Sequence, residues 1–333
     1  MDSQKESDKN KTAASEKDQE DRCCSNTSNK NEAQEPSSQN HGDFSDPVYK
    51  EIAVANGTIN RMNRDELRAK CAELKLDTRG VKDVLKKRLK NYYKKQKLMH
   101  LAAGANGDQY FDFICVVDFE ATCEESNPPD YHHEIIEFPM VLIDTRSLEI
   151  VDSFQEYVKP EVNPQLSDFC VKLTGITQKL VDEAGSFHAV LKRAVSWLQE
   201  KELGTKYKYM FLTDGSWDMG KFLYTQCKLS GIRYPQFARK WINIRKSYGN
   251  FYKVARTQTK LICMLENLGM QYEGRPHCGL DDSRNIARIA IHMLKDGCQL
   301  RVNECLHSGE PRSVPISASF EGAPAPQNPK NRD

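Results

Sequence analysis

Ile114-Cys115-Val116-Val117-Asp118-Phe119-Glu120-Ala121-Thr122 is the stretch on which the fold turns. An apolar run leads into two carboxylates at i and i+2, as a buried strand that ends in acid would. Side chains two apart on a strand share a face, so Asp118 and Glu120 are expected to point the same way. Two like charges at the end of a buried strand are costly unless a cation neutralises them. Oxygen-only ligands suit magnesium or manganese, not zinc. Taken alone, the pair could equally be an exposed Asp and Glu at a strand end.

Working outward, strands are expected at Phe113 to Glu120, Glu134 to Ile143, Phe154 to Val158 and Tyr209 to Thr213. Phe187, Val190, Leu191, Ala194, Val195 and Leu198 recur at the spacing of an amphipathic helix. Further helices are expected at about 217–230, 258–268 and 282–296. The chain reads as α/β, with a mainly β first half feeding alternating units.

Two later acidic clusters fall at element ends. In Thr213-Asp214-Gly215-Ser216-Trp217-Asp218-Met219-Gly220-Lys221-Phe222-Leu223 a strand gives way to a helix. Asp214 could cap that helix, and Asp218 could be a first-turn acid favoured by the helix dipole. In Arg275-Pro276-His277-Cys278-Gly279-Leu280-Asp281-Asp282 a histidine sits in a Gly-containing loop before another helix. Either Asp281 or Asp282 could be an N-cap.

The whole chain of 333 residues carries a formal charge of +1, with 38% apolar and 29% charged residues. The low apolar share points to a folded part diluted by polar segments. Residues 1–46 are acidic and hold one aromatic, Phe44, so they read as a disordered tail. Residues 305–333 carry five prolines among Ser, Ala and Gly and read as a second tail. A linker is expected around 102–108, at Gly104, Asn106 and Gly107. Near neutrality hides a basic block: residues 60–97 hold 14 Lys+Arg against 5 Asp+Glu, a net +9. Two short helices are legible there. Asn63 and Glu66 form a capping-box pattern before Leu67, Cys71 and Leu74. Val81, Val84, Leu85 and Leu89 line one face of the second helix, with lysines, Arg88, Tyr92 and Tyr93 around them. The eleven cysteines include no Cys-x-x-Cys, which favours a reducing compartment over disulfides or structural zinc. Phe138 to Ile143 is too short to span a bilayer, and no basic start leads into an apolar segment, so neither membrane nor secretory signal is expected.

Asp-x-Glu on a strand, an Asp near a helix start about a hundred residues on, and His-x-x-x-x-Asp near the end form an ordered pattern. It resembles the DEDDh group of DnaQ-like 3′–5′ exonucleases, and Leu173-Thr174-Gly175-Ile176-Thr177 resembles the short motif they carry between the first two clusters. The resemblance covers residues 111–298. It implies a ribonuclease-H-like mixed sheet flanked by helices. The basic module at 60–97, with Gly80 and Lys82, resembles a SAP domain. That order is similar to the Eri-1-type exoribonucleases that act on histone-mRNA 3′ ends, as is the wording Asp118-Phe119-Glu120-Ala121-Thr122-Cys123 and Trp241-Ile242-Asn243-Ile244-Arg245-Lys246.

The resemblance implies two magnesium ions per site, with manganese as a substitute, held by Asp118, Glu120, Asp218 and Asp282. Asp218 is preferred to Asp214 because Phe222 and Leu223 follow at the family spacing, and Asp282 to Asp281 likewise. His277 is the implied general base, in a loop read as mobile, beside Glu120 as a catalytic residue. Tyr272 lies off the motif spacing. Glu120, Ala121 and His277 are the implied nucleotide-binding residues, with Phe119 or Leu173 against the terminal base. Lys82, Lys87 and Arg88 are expected on RNA phosphates. Ser247 to Tyr252, with Arg245, Lys246 and Lys253, could flank an RNA channel or simply pack. The implied substrate is RNA with a 3′ stem-loop or a duplex end with a 3′ overhang: histone mRNA, small RNA in gene silencing, or rRNA 3′ ends. The implied products are nucleoside 5′-monophosphates. A stem-loop-binding protein sharing the same RNA is an expected partner, and cytoplasm and nucleus, including the nucleolus, the expected locations. A DNA exonuclease and a catalytically silent binding adaptor are the readings from other classes.

Overall fold

The computed structural model describes residues 47–99 and 110–306. The tail expected at 1–46, the linker at 102–108 and residues 307–333 lie outside the described residues. Helices α1 (Pro47–Arg61), α2 (Arg64–Glu73) and α3 (Lys82–Met99) come first. Strands β1 (Phe113–Val116), β2 (Glu120–Ala121), β3 (Ile135–Asp144) and β4 (Glu149–Lys159) follow. Then come α4 (Asp168–Thr174), α5 (Gln178–Asp182), β5 (Gly185–Ser186), α6 (Phe187–Glu200) and β6 (Tyr209–Thr213). A π-helical turn (Asp218–Leu223) runs into α7 (Tyr224–Leu229), followed by β7 (Lys240–Asn243), α8 (Ile244–Tyr252), α9 (Leu261–Leu268), α10 (Gly279–Lys295) and β8 (Glu304–Cys305).

The strands form one mixed sheet in the order β5-β4-β3-β1-β6-β7-β8, with β2 added on β3. β1 runs antiparallel to β3 and parallel to β6, which pairs in parallel with β7. Alternation along β1 sends Ile114 and Val116 to one face and Cys115 and Val117 to the other. The first face packs with Leu212, Ile242 and the apolar sides of α8, α9 and α10. The second packs with Met140, Phe211, Trp241 and the apolar side of α6. This is the mixed α/β sheet flanked by helices that the sequence pattern implies, with a helical N-terminal region before it.

The strand expected to run unbroken to Glu120 is interrupted. β1 pairs with β3 up to Val116↔Val141, and β2 resumes at Glu120↔Glu137 with a register shift before Ala121. Between them the backbone turns away from β3: the Val117 N–H goes to Leu212 O and the Phe119 N–H to the Asp218 carboxylate. Pro139 lies in β3 between these two pairings, with Gln155 of β4 as its partner on the other side. Asp118 therefore sits in a break in the sheet, not within a strand.

Two other expectations need correction. Cys305 and Leu306, assigned by composition to the Pro-rich tail, join the fold: Cys305 pairs with Lys240 and the Leu306 N–H reaches Arg239 O. The basic module has three helices, because α1 precedes the two legible ones. Its apolar contribution is mainly Ile59, packed with Leu67, Cys71, Leu85 and Leu89. The Asn63–Glu66 capping box is formed, with the Asn63 side chain accepting from Glu66 N and Glu66 from Asn63 N.

Arg88 was expected on RNA phosphate and is instead 3% exposed. Its Nε donates to Asp296 at 2.6 Å, its Nη1 to the carbonyls of Asp77 and Arg79, and its Nη2 lies 2.6 Å from His292 Nε2. Asp296 also accepts from the Tyr252 hydroxyl at 2.8 Å. The guanidinium is thus committed to a buried network that joins α3 to α8 and the end of α10. Burial holds the His292 pKa below its ordinary value, so the imidazole is neutral and can accept from Arg88. Deleting one partner of such a pair strands the other charge. Asp296→Ala is expected to lower unfolding free energy by about 3–5 kcal/mol in urea titrations; a change below about 1 kcal/mol, the scale of an exposed pair, would show that the network is not what holds the N-terminal helices in place.

Candidate active site

The ends of β1 and β6, the π-turn and the start of α10 converge at the break in the sheet. Asp118 is half-buried there. Its pKa stands well above the ordinary carboxyl value, first because of desolvation and then because of repulsion from Asp218, Asp282, Asp214 and Glu120. These acids come from distant parts of the chain and meet in one small region. One oxygen each from Glu120 and Asp282 and a ring nitrogen of His277 all lie within 4.8 Å of one another.

Local structure explains each position. Asp218 is buried in the first turn of the π-helix and accepts the Phe119 N–H at 3.0 Å, which fixes it beside Asp118. π-turns are often found at functional sites because they re-aim a side chain. Asp282 is buried in the first turn of α10, where the helix dipole favours a carboxylate. It accepts the His277 N–H at 2.9 Å and the Tyr272 hydroxyl at 2.9 Å, and its pKa is raised to about 6, mainly by burial. The helix itself is pressed against the break. A Cβ on Gly279 would lie 2.6 Å from the Asp118 carbonyl oxygen, so only glycine permits this approach. Glu137, 1% exposed, anchors the same turn by accepting the N–H groups of Gly279 and Leu280 at 2.9 and 3.1 Å.

Asp214 is engaged by Arg245, whose guanidinium also lies in the field of Asp118 and Asp218. Asp281 accepts the Arg275 N–H at 2.9 Å. Asp218, Asp282 and Asp214 all lie close enough to raise the Asp118 pKa. Phe119, one of two residues considered for the terminal base, is packed edge-on against Phe138 at 4.8 Å and is core. Leu173 is half-buried at the end of α4. Ala121 is buried in β2 directly after Glu120. His277 is exposed with φ 61°, and the loop read as mobile is hydrogen-bonded at successive residues.

Outside this cluster, Lys82 is exposed on α3. Lys87 is half-buried, with Nζ 4.6 Å from the Phe251 ring centroid. Within the stretch 247–252, Tyr248 and Tyr252 are buried in the core, and Lys246 just before it pairs with Glu304 at 2.7 Å. Sequence reasoning missed Glu137, whose one signal is a carboxylate inside an otherwise apolar strand. It also set aside Tyr272, whose spacing gave no hint of its bond to Asp282. Trp217 is half-buried beside Asp218, with Lys221 Nζ 3.8 Å from its ring centroid.

The donor set suits a hard divalent cation. Asp118 lies among carboxylates whose mutual repulsion penalises full ionisation, and the oxygen-rich donors are those preferred by such ions. Comparisons with known proteins agree. A family model described as Exonuclease matches residues 115–290, and one for the SAP domain matches 58–94. The rat protein 3′-5′ exoribonuclease 1 is 69% identical over 293 residues, covering 88% of this chain and 85% of its own. A solved structure of 3′-end specific recognition of the histone mRNA stem-loop by 3′-exonuclease is 68% identical, with TM-score 0.61, covering 86% of this chain and 98% of that one. The nuclease domain of 3′hExo, a DEDDh family member, bound to rAMP, is 69% identical with TM-score 0.59, covering 60% of this chain and all (100%) of that one. With an acidic cluster of the DEDDh type and relatives of this similarity along most of its length, the chain belongs to the divalent-metal-dependent DEDDh exonucleases, as a SAP-bearing 3′–5′ exoribonuclease.

Proposed function

We propose that this protein is a magnesium-dependent 3′–5′ exoribonuclease that trims RNA at 3′ stem-loops or at short duplexes with 3′ overhangs. Histone mRNA, small RNAs of gene silencing and rRNA 3′ ends are the substrates in this reading, in cytoplasm and nucleus, including the nucleolus. A stem-loop-binding protein on the same RNA is the proposed partner. The observation that carries the reading is the meeting of Glu120, His277 and Asp282 beside the crowded carboxyl of Asp118.

Asp118, Glu120, Asp218 and Asp282 would hold the cations. When bound, a pair of divalent ions activates water and stabilises the departing 3′ oxygen. His277, exposed at the rim, takes a proton from the attacking water at a ring nitrogen. Water oxygen bonds to phosphorus as the bond to the upstream 3′ oxygen breaks; that oxygen takes a proton from solvent to become a 3′-hydroxyl, and a nucleoside 5′-monophosphate is released. Glu120, Ala121 and Leu173 border the seat of the terminal nucleotide in this reading, and the side chain of Trp217 adds an aromatic face beside Asp218. The helical module at 60–97 supplies phosphate contacts from Lys82 and Lys87, and the region 111–298 supplies catalysis. A-form RNA is recognised by shape and backbone, which lysines on a helix can provide without base-reading contacts.

Time courses on a 3′ stem-loop RNA, a single-stranded RNA and a matched DNA, with and without magnesium, test the reading. Mononucleotide release from the stem-loop RNA only with magnesium is expected, and equal turnover of the DNA would move the assignment to a DNA exonuclease. His277→Ala is expected to lower kcat by about 10²–10⁴-fold with RNA affinity retained; wild-type turnover would remove the base assignment. Asp118→Asn is expected to abolish cleavage while raising Tm, because it relieves repulsion among the acids; unchanged turnover would contradict its role.

The raised pKa of Asp282 gives a pH signature. Below about 6 its carboxyl holds a proton that a cation must displace. Cation affinity, read by calorimetry without RNA, is therefore expected to fall as pH drops from 7 through about 6, with proton uptake by the buffer growing over the same range. Affinity that stays constant across that range would contradict it.

A further inference from the structure

The loop that carries His277 is tied at several points. The Tyr272 hydroxyl lies 2.9 Å from the Arg275 carbonyl oxygen, and the Arg275 N–H donates to Asp281 at 2.9 Å. The Cys278 N–H returns to the Arg275 carbonyl at 3.2 Å, and the His277 N–H donates to Asp282 at 2.9 Å. Arg275 is therefore the pivot of the turn that sets the backbone of His277.

Its side chain goes elsewhere. Nη2 reaches across to α4 and donates to the carbonyls of Lys172 and Leu173, at 2.9 and 3.3 Å. These oxygens belong to the last turn of α4, where carbonyls lack partners within the helix and a cation is favoured. The guanidinium is seated against Gly175, the left-handed residue that ends α4 with φ 76°. A Cβ there would fall 1.5 Å from Nη1 and 2.4 Å from Cζ. Gly175 thus serves two needs at once: its backbone conformation, and room for the arginine.

We propose that Arg275 is a positioning residue that couples the seat of the terminal nucleotide to the general base, by clamping the Leu173-Thr174-Gly175 turn to the His277 loop. The coupling rests on the exoribonuclease reading above. One side chain spans both parts, so a shift of either is felt by the other. A terminal nucleotide that presses correctly on Leu173 keeps His277 at the right reach, while a misplaced one disturbs it. Arg275 touches no reacting atom and acts through His277.

A double-mutant cycle tests this. Steady-state kinetics on 3′-hydroxyl stem-loop RNA are measured for wild type, Arg275→Ala, Arg275→Lys, His277→Ala and the Arg275→Ala/His277→Ala pair, with Tm for each. Arg275→Ala is expected to lower kcat by about 10–100-fold, the scale of a slightly misplaced catalytic group, with little change in KM. The double variant is expected to be no slower than His277→Ala alone, and Arg275→Lys to recover part of the rate. Multiplying losses in the double variant overturn the proposal. So does a loss confined to KM with a shallower salt dependence, which would make Arg275 a phosphate contact. Hydrogen exchange is read in parallel on the protein without RNA. Faster exchange at both 173–175 and 277–278 in Arg275→Ala is expected, and unchanged exchange at either segment overturns the clamp whatever the kinetics. Wild-type turnover by His277→Ala would fail the base assignment instead, and the clamp would then be decided by exchange alone.

Discussion

Asp118 lies in a gap between two short strands, with Asp214, Asp218, Asp282 and Glu120 close enough to raise its pKa. Such crowding is unfavourable by itself, so the surrounding structure has to hold the acids together against their repulsion. It does so mainly with backbone N–H groups and packing. Phe119 N–H restrains Asp218, His277 N–H restrains Asp282, and Glu137 grips the first turn of α10. The apolar layers on both faces of the sheet keep β1 and β6 in register, so the acids cannot move apart without unpacking a core. Arg245 enters the cluster's field from the side of Asp214, with which it is paired.

Much of this was legible in the sequence. β6 coincides with the expected Tyr209–Thr213 because a short apolar run between polar turns leaves few alternatives. The α6 helix was marked by the helical spacing of Phe187, Val190, Leu191, Ala194, Val195 and Leu198, of which all but the half-buried Val195 are buried. The break after Val116 was not legible, because Val117 and Phe119 are as apolar as the strand they leave, and only the distant Asp218 shows why the chain turns. α1 was missed for a different reason: Ile59 is its one buried residue, and Gly57 and β-branched residues weaken its local preference for helix.

Arg88 shows where composition misleads. In a run of lysines it reads as one more charge for a polyanion, and nothing local sets it apart. Its partners, Asp296 and His292, lie more than two hundred residues away, so burial could not be read from its neighbours. Lys87, its neighbour, also deviates from a plain solvated charge: burial and the nearby Lys253 lower its pKa, and its ammonium sits over Phe251. Of the aromatic residues of α8, Tyr248 and Tyr252 are buried in the core, and Phe251 lies under the Lys87 ammonium of α3.

The helix α10 carries Asp282 in its first turn and His292 near its end, with Asp296 capping it. At 1.5 Å per residue the fourteen steps from Asp282 to Asp296 span about 21 Å along a single rod. One end holds a member of the acidic cluster, and the other holds the network that seats α3. No break interrupts that span, so one continuous helix joins the seat of α3 to the acidic cluster. The two ends share one backbone, so a displacement at either is carried along the rod to the other.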